Sequence, residues 1–135
     1  MNNITLIGRL IKDPELRYLQ NGGRAVTNFT LAVDKQLSKE KKQEMESRNQ
    51  PTADFIRIVV WGKQAESCAN YLAKGRLTAV QGRIQTGSYE DKDGKRVYTT
   101  DVVANQVQFL EWGDKQKQND DDIEGFQQTN EDIPF

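Results

Sequence analysis

Residues 54–62, DFIRIVVWG, place Ile56, Ile58 and Val60 on one parity and Phe55, Arg57, Val59 and Trp61 on the other. That is the two-residue period of a β-strand. Directly afterwards the period changes. Ala65, Cys68, Ala69 and Leu72 fall at i, i+3, i+4 and i+7, one side of a short helix over 63–74, and Gly75 after Lys74 supplies a stop. A strand that turns at once into a short helix, with strands on both sides of the pair, leaves few folds open.

The flanking strands have their own signatures. NITLIGRLI (3–11) is rich in β-branched residues, and Asp13-Pro14 ends it. QNGGR (20–24) is a turn signal, after which Ala25, Thr27, Phe29, Leu31 and Val33 share one parity of a strand over 24–34. Residues 76–90 and 95–110 form two long strands joined by DKDG (91–94), where Asp93-Gly94 marks a hairpin. Val102 and Ala104 share the parity of Tyr98, whereas Val107 and Phe109 take the other, so a bulge is expected near Asn105. The polar stretch 35–53 admits a short helix but is expected as a long mobile loop. The order β-β-β-α-β-β predicts an all-β fold with one short helix. It is the order of the OB-fold, a five-stranded Greek-key barrel, although other small barrels produce a similar pattern.

Charge divides the 135 residues into two parts. Residues 1–112 carry 17 basic and 13 acidic side chains, net +4; residues 113–135 carry 2 and 7, net −5. A basic body suggests a polyanion as partner, and an acidic tail suggests a separate task. The division predicts a folded domain over 1–112 and a disordered acidic tail over 113–135. The single cysteine excludes an internal disulfide and fits a reducing compartment. No stretch is long enough to span a bilayer, and the first residues do not read as a signal peptide. A cytoplasmic protein with no membrane association is expected.

Function is sought on the polar parities. On 54–62 the outward set places Arg57 between the rings of Phe55 and Trp61, a poor composition for the inside of a small barrel. Such a set suits base stacking with a cation at phosphate; the plainer reading is that one ring packs beneath the loop at 35–53. In 76–90 the polar parity holds Gln81, Arg83, Gln85 and Tyr89, against Val80, Gly82 and Ile84. Lys35, Lys39, Lys41 and Lys42 lie in the polar stretch, Lys63 follows the aromatic strand, and Lys74 ends the helix. Interleaving of cations with outward rings is the pattern of a single-strand groove.

Catalytic readings find less support. There is no histidine to act as general base or metal ligand. Cys68 falls on the apolar side of its helix, and no GxxxxGK[ST] loop is present. No catalytic residue, metal site or cofactor is predicted. Asp120-Asp121-Asp122 offers carboxylates for magnesium, and a metal-dependent nuclease is the alternative from another class. A tail without apolar periodicity is a poor frame for a coordination shell.

Several segments together resemble one family. NITLIGRLIKDPELRY, the NGG turn, NFTLAV, DFIRIVVWGKQAE, YLAKG, GRIQT, YTTDVVA and the terminal EDIPF are similar to bacterial, or phage-encoded, single-stranded DNA-binding protein. The resemblance runs from about Asn2 to Leu110 and resumes at the last residues. It implies an OB-fold core, assembly as a homotetramer, and binding of single-stranded DNA without sequence preference during replication, recombination and repair. The family's stacking aromatics fall on Phe55, Trp61 and Tyr89, and its basic contacts on Arg57, Lys63 and Lys74. Its partner-recruiting tip falls on Asp132, Ile133, Pro134 and Phe135, which would draw in replication and repair proteins. Leu37 stands where the family usually has an aromatic, and Gly87 and Ser88 occupy positions that are often basic. The resemblance adds an association with the nucleoid to the cytoplasmic location. An OB-fold accessory protein that binds RNA or a replication protein is the nearest rival.

Overall fold

Apolar alternation needs a closed surface to bury it, and here five strands supply one. The computed structural model describes residues 1–20 and 22–111. Its elements are β1 (Ile4–Leu10), β2 (Glu15–Tyr18), β3 (Ala25–Asp34), α1 (Lys39–Ser47), β4 (Ala53–Trp61), α2 (Lys63–Tyr71), β5 (Leu77–Glu90) and β6 (Arg96–Phe109). β1 pairs antiparallel with β5, β5 with β6, and β4 with β3. β6 meets β4 in parallel at Val102 and Val103. β3 returns to β1 where Leu10 faces Leu31 and Arg9 faces Ala32. The circuit β1-β3-β4-β6-β5 is therefore closed, which is the expected OB-fold barrel.

The inward parities form the core. Leu10, Phe29, Leu31, Ile58, Val60, Val80, Val102 and Phe109 are buried together. α2 packs beneath them through Ala65, Cys68 and the following Leu72. Gly62, at φ +78°, turns the chain from β4 into α2, and its N–H donates to Ala25 O at 2.9 Å. Buried Thr27 donates its hydroxyl to Ala65 O at 2.8 Å and ties the helix to β3. No helix among the described residues is long and apolar enough to cross a membrane.

Three local expectations are corrected. The stretch 35–53 contains α1, whose start is capped by Ser38 Oγ accepting from Lys41 N–H at 3.2 Å. This helix buries no residue, so it shows no apolar stripe for a sequence pattern to report. Next, Glu15–Tyr18 forms β2, a sixth strand laid on the outer edge of β3. Finally, α2 ends at Tyr71 rather than near Lys74, because Leu72 adopts extended backbone at φ −89°, ψ 149°. Leu72 is buried none the less, so the apolar pattern continued past the helix.

The bulge expected near Asn105 is present. Gln81 faces Gln106 and Gly82 faces Ala104, which leaves Asn105 as the extra residue. The β5–β6 hairpin runs on beyond the barrel to Glu90 and Arg96, closed by Asp91 Oδ1 accepting from Asp93 and Lys95 N–H, each at 2.9 Å. Ile84 keeps the core parity expected of it but is 42% exposed, because the arm has left the barrel there.

Gly82 sits where the bulge presses two backbones together. A Cβ on it would lie 2.1 Å from Val103 O and 2.9 Å from Ala104 Cα. Backbone atoms in a closed sheet cannot retreat as a side chain would. Gly82→Ala is expected to cost about 1–3 kcal/mol of stability, read as a lower urea midpoint at matched protein concentration.

Candidate nucleic-acid interface

The outward face of β4 is extended in both directions by register. Across β3, Phe55, Arg57, Val59 and Trp61 stand beside Ala32, Thr30, Asn28 and Val26. Val26 and Asn28 stand in turn beside Arg17 and Glu15 of β2. On the other side Val59 faces Val103, and through β6 the face continues to Arg83, Gln85 and Tyr89 of β5. Phe55, Arg57, Trp61 and Tyr89 therefore belong to one continuous surface of five strands. Phe55 and Tyr89 are 58% and 56% exposed, whereas Trp61 is half-buried. Tyr89 faces Val97, four residues along β6 from Asp101, or roughly 13 Å. It stands on the projecting arm, away from the two β4 rings.

Between β2 and β4 the surface dips into a groove of about 400 Å³, with Arg17, Tyr18, Arg57 and Trp61 among its walls. Arg57 Nε lies 4.0 Å from Asp101 Oδ1, and the arginine side chain is more than half exposed. A pair at that distance, open to water, orients the guanidinium without strongly neutralising it. The groove thus offers rings, apolar floor at Val26 and Val59, and positive charge only weakly compensated.

The four lysines are distributed differently. Lys63 is the first residue of α2, one residue past the Trp61-Gly62 junction, and is exposed. Lys39 heads α1 and is exposed. Lys35 is held by Asp54, Nζ to Oδ1 at 2.5 Å; Asp54 has the parity opposite to Phe55. Lys74 follows α2, and its backbone N–H donates to Asp13 Oδ1 at 2.9 Å. It lies on none of the five strands that build the face. Register joins the aromatics and Arg57 into one surface, and none of the four lysines belongs to the strands that build it.

Some residues of the face were not read from the sequence. Arg17 and Tyr18 belong to β2, a strand too short and too exposed to show its alternation. Arg24 lies with its Cζ 4.9 Å from the centroid of the Trp61 ring, a contact made by folding, with no trace in spacing. Tyr98 is 79% exposed on the opposite side of the arm from Tyr89. The tip residues Asp132 to Phe135 and the run Asp120 to Asp122 lie outside the described residues. Among the described residues, no group of three or more His, Cys, Asp or Glu is placed to hold a metal ion.

A closed five-stranded barrel with outward rings and arginines on one sheet face is the OB-fold of a nucleic-acid-binding class. The chain belongs to the single-strand binding protein family, whose model matches residues 1–110. It is similar to the single-stranded DNA-binding protein of Clostridium tetani, with 55% identity over 94% of this chain and 82% of that one. Single-stranded DNA-binding protein 2 of Clostridium acetobutylicum is 62% identical over 84% of this chain and 79% of its own. The single-stranded DNA-binding protein of Halalkalibacterium halodurans is 49% identical over 93% and 70%.

Cys68 is separate from this face. It is fully buried under the barrel, and burial pushes its thiol up from 9.0 to about 12. At pH 8 the folded thiol therefore stays protonated and unreactive. The folded chain is expected to resist thiol reagents at pH 8 and to react fully in denaturant, read by a colorimetric thiol assay. The folded thiol titrates above the unfolded one, so this group's contribution to stability is intact below pH 9.0 and is lost as pH rises toward about 12.

Proposed function

We propose that this protein coats single-stranded DNA without sequence preference, in replication, recombination and repair. The observation that carries the reading is the continuous face on which Phe55, Trp61 and Tyr89 accompany Arg57. The names of its relatives support the same ligand. Every base has a π-face, so stacking on such rings tolerates any sequence, and the phosphates between bases meet the arginines. Nothing in this task needs a nucleophile, a proton shuttle or a cofactor, so the proposal is a binding protein and not an enzyme. Its place is cytoplasmic, at the nucleoid.

The proposal includes assembly as a homotetramer. β1 pairs with β5 on one side, and β3 covers its other side only at Arg9 and Leu10. Residues 4–7 thus keep an edge open, which is a template for a second chain. Ile7, exposed beside this edge, supplies apolar area. The acidic-apolar tip Asp132-Ile133-Pro134-Phe135 recruits replication and repair proteins. Pro134 reduces the freedom lost on docking, and Asp132 seeks a basic rim around an apolar pocket.

Titration with poly-dT tests the central claim, in a Trp112→Phe background so that emission reports Trp61. Binding is expected to quench that emission. Each of Phe55→Ala, Trp61→Ala and Tyr89→Ala is expected to weaken binding by about 1–3 kcal/mol. Wild-type affinity in a folded Trp61→Ala variant would assign the ring to packing alone. Poly-rU bound more tightly than poly-dT would favour an RNA ligand, and cleavage of the strand in magnesium would favour a nuclease.

For the tip, deletion of Ile133–Phe135 is expected to abolish capture of replication and repair proteins in a pull-down. Affinity for poly-dT should be unchanged, or slightly higher at low salt, because less negative charge then competes for the face. A truncated protein that captures the same partners as the full chain removes the tip from recruitment.

A further inference from the structure

Trp61 does not offer both of its faces. The Arg24 guanidinium lies over the ring, with Cζ 4.9 Å from the centroid. Arg24 has the parity of Val26 and Asn28, so it continues the outward face of β3 by one more position. Its backbone is fixed from two sides: Leu19 N–H donates to Arg24 O at 3.0 Å, and Gly62 N–H donates to the neighbouring Ala25 O at 2.9 Å. The first bond belongs to the β2–β3 turn and the second to the junction of β4 with α2. Arg24 is thus held at the meeting point of the elements that carry the groove, with its side chain exposed.

Its surroundings distinguish this arginine from the ion-paired ones. Arg9, Arg48, Arg57 and Arg96 each approach a carboxylate. Among the described residues Arg24 takes part in no ion pair and stacks on an indole instead. A guanidinium has five N–H donors, so one placed over a ring can still donate to an anion. Arg17 stands in the same cross-sheet row as Trp61, through Val26, and Arg57 lies four residues before Trp61 on the same parity of β4. The half-buried ring thus has Arg24 over it and shares its groove with Arg17 and Arg57.

We propose that Arg24 is a further single-strand contact, which covers one face of Trp61 and binds the phosphate next to the single base stacked on the other face. The proposal rests on the single-strand reading above. A ring open on both sides can be sandwiched by two bases; this one receives one base and presents a cation to the backbone beside it. Arg24 is a positioning residue for the Trp61 subsite as well as a charge.

The test uses the full chain and poly-dT at several salt concentrations, with Arg24→Ala, Arg24→Gln and Arg24→Lys beside the wild type. Thermal unfolding of each free variant shows whether it is folded. Loss of one phosphate contact lowers the slope of log affinity against log salt by about 0.7, so Arg24→Ala and Arg24→Gln should both show that drop, with affinity reduced about five- to tenfold at moderate salt. Arg24→Lys should restore the slope, because it keeps the charge, while recovering only part of the affinity, because an ammonium lacks the guanidinium's planar fork of donors. A residue that merely held the turn would lower thermal stability without moving the slope. Unchanged slope and affinity in folded Arg24→Gln overturn the proposal, as does a lysine variant whose slope stays as low as that of glutamine. Failure of the wild type to bind poly-dT at any salt would instead overturn the single-strand reading itself.

Discussion

Closure of the barrel between β1 and β3 is the constraint on which the other features depend. It consists of two residue pairs, Leu10 with Leu31 and Arg9 with Ala32. Gly8 makes the approach feasible, because a Cβ there would lie 2.5 Å from Ala32 O. Once these strands meet, every strand has an inside and an outside, and a one-residue slip would exchange them. Leu31 and Ile58 become fully buried, and whatever alternates with them must face outward. Phe55, Arg57 and Trp61 are outward because Ile56, Ile58 and Val60 are inward. The interface is thus a consequence of the core.

The same relation explains what the sequence made legible. Burial imposes a period, so elements that feed the core could be read: the five barrel strands, the body of α2, and the bulge at Asn105, where the inward parity switches. α1 buries nothing, and β2 lies outside the barrel with only Leu16 partly buried. Neither had a periodic signal to give. The end of α2 was misplaced for the converse reason, since Leu72 is buried from extended backbone and continued the helical spacing by coincidence. At the interface, parity alone located Phe55, Arg57, Trp61 and Tyr89. Arg17 joins them through cross-strand register, Tyr18 as a wall of the groove, and Arg24 through its contact with the indole. Those relations join residues distant along the chain, and local alternation carries no record of them.

The charges on the face also bear on how a sequence-tolerant ligand would be held. Asp101 reaches Arg57 at 4.0 Å, and Glu15 stands beside Asn28 within the same surface. A face built only of cations would bind any polyanion tightly and release it slowly. With carboxylates among the arginines, a phosphate must displace a weak internal partner, and each contact contributes modestly. Affinity is then the sum of many small terms, from rings as much as from charges. Such a surface suits the proposed coating role, in which a strand must be held along its length and surrendered piece by piece. It also assigns separate duties to the two kinds of contact. On that proposal, arginine–phosphate contacts would respond to salt and set how readily the strand dissociates, whereas stacking on Phe55, Trp61 and Tyr89 would persist when salt screens charge. With Arg24 over one face of Trp61, the proposed subsite would combine both in one place.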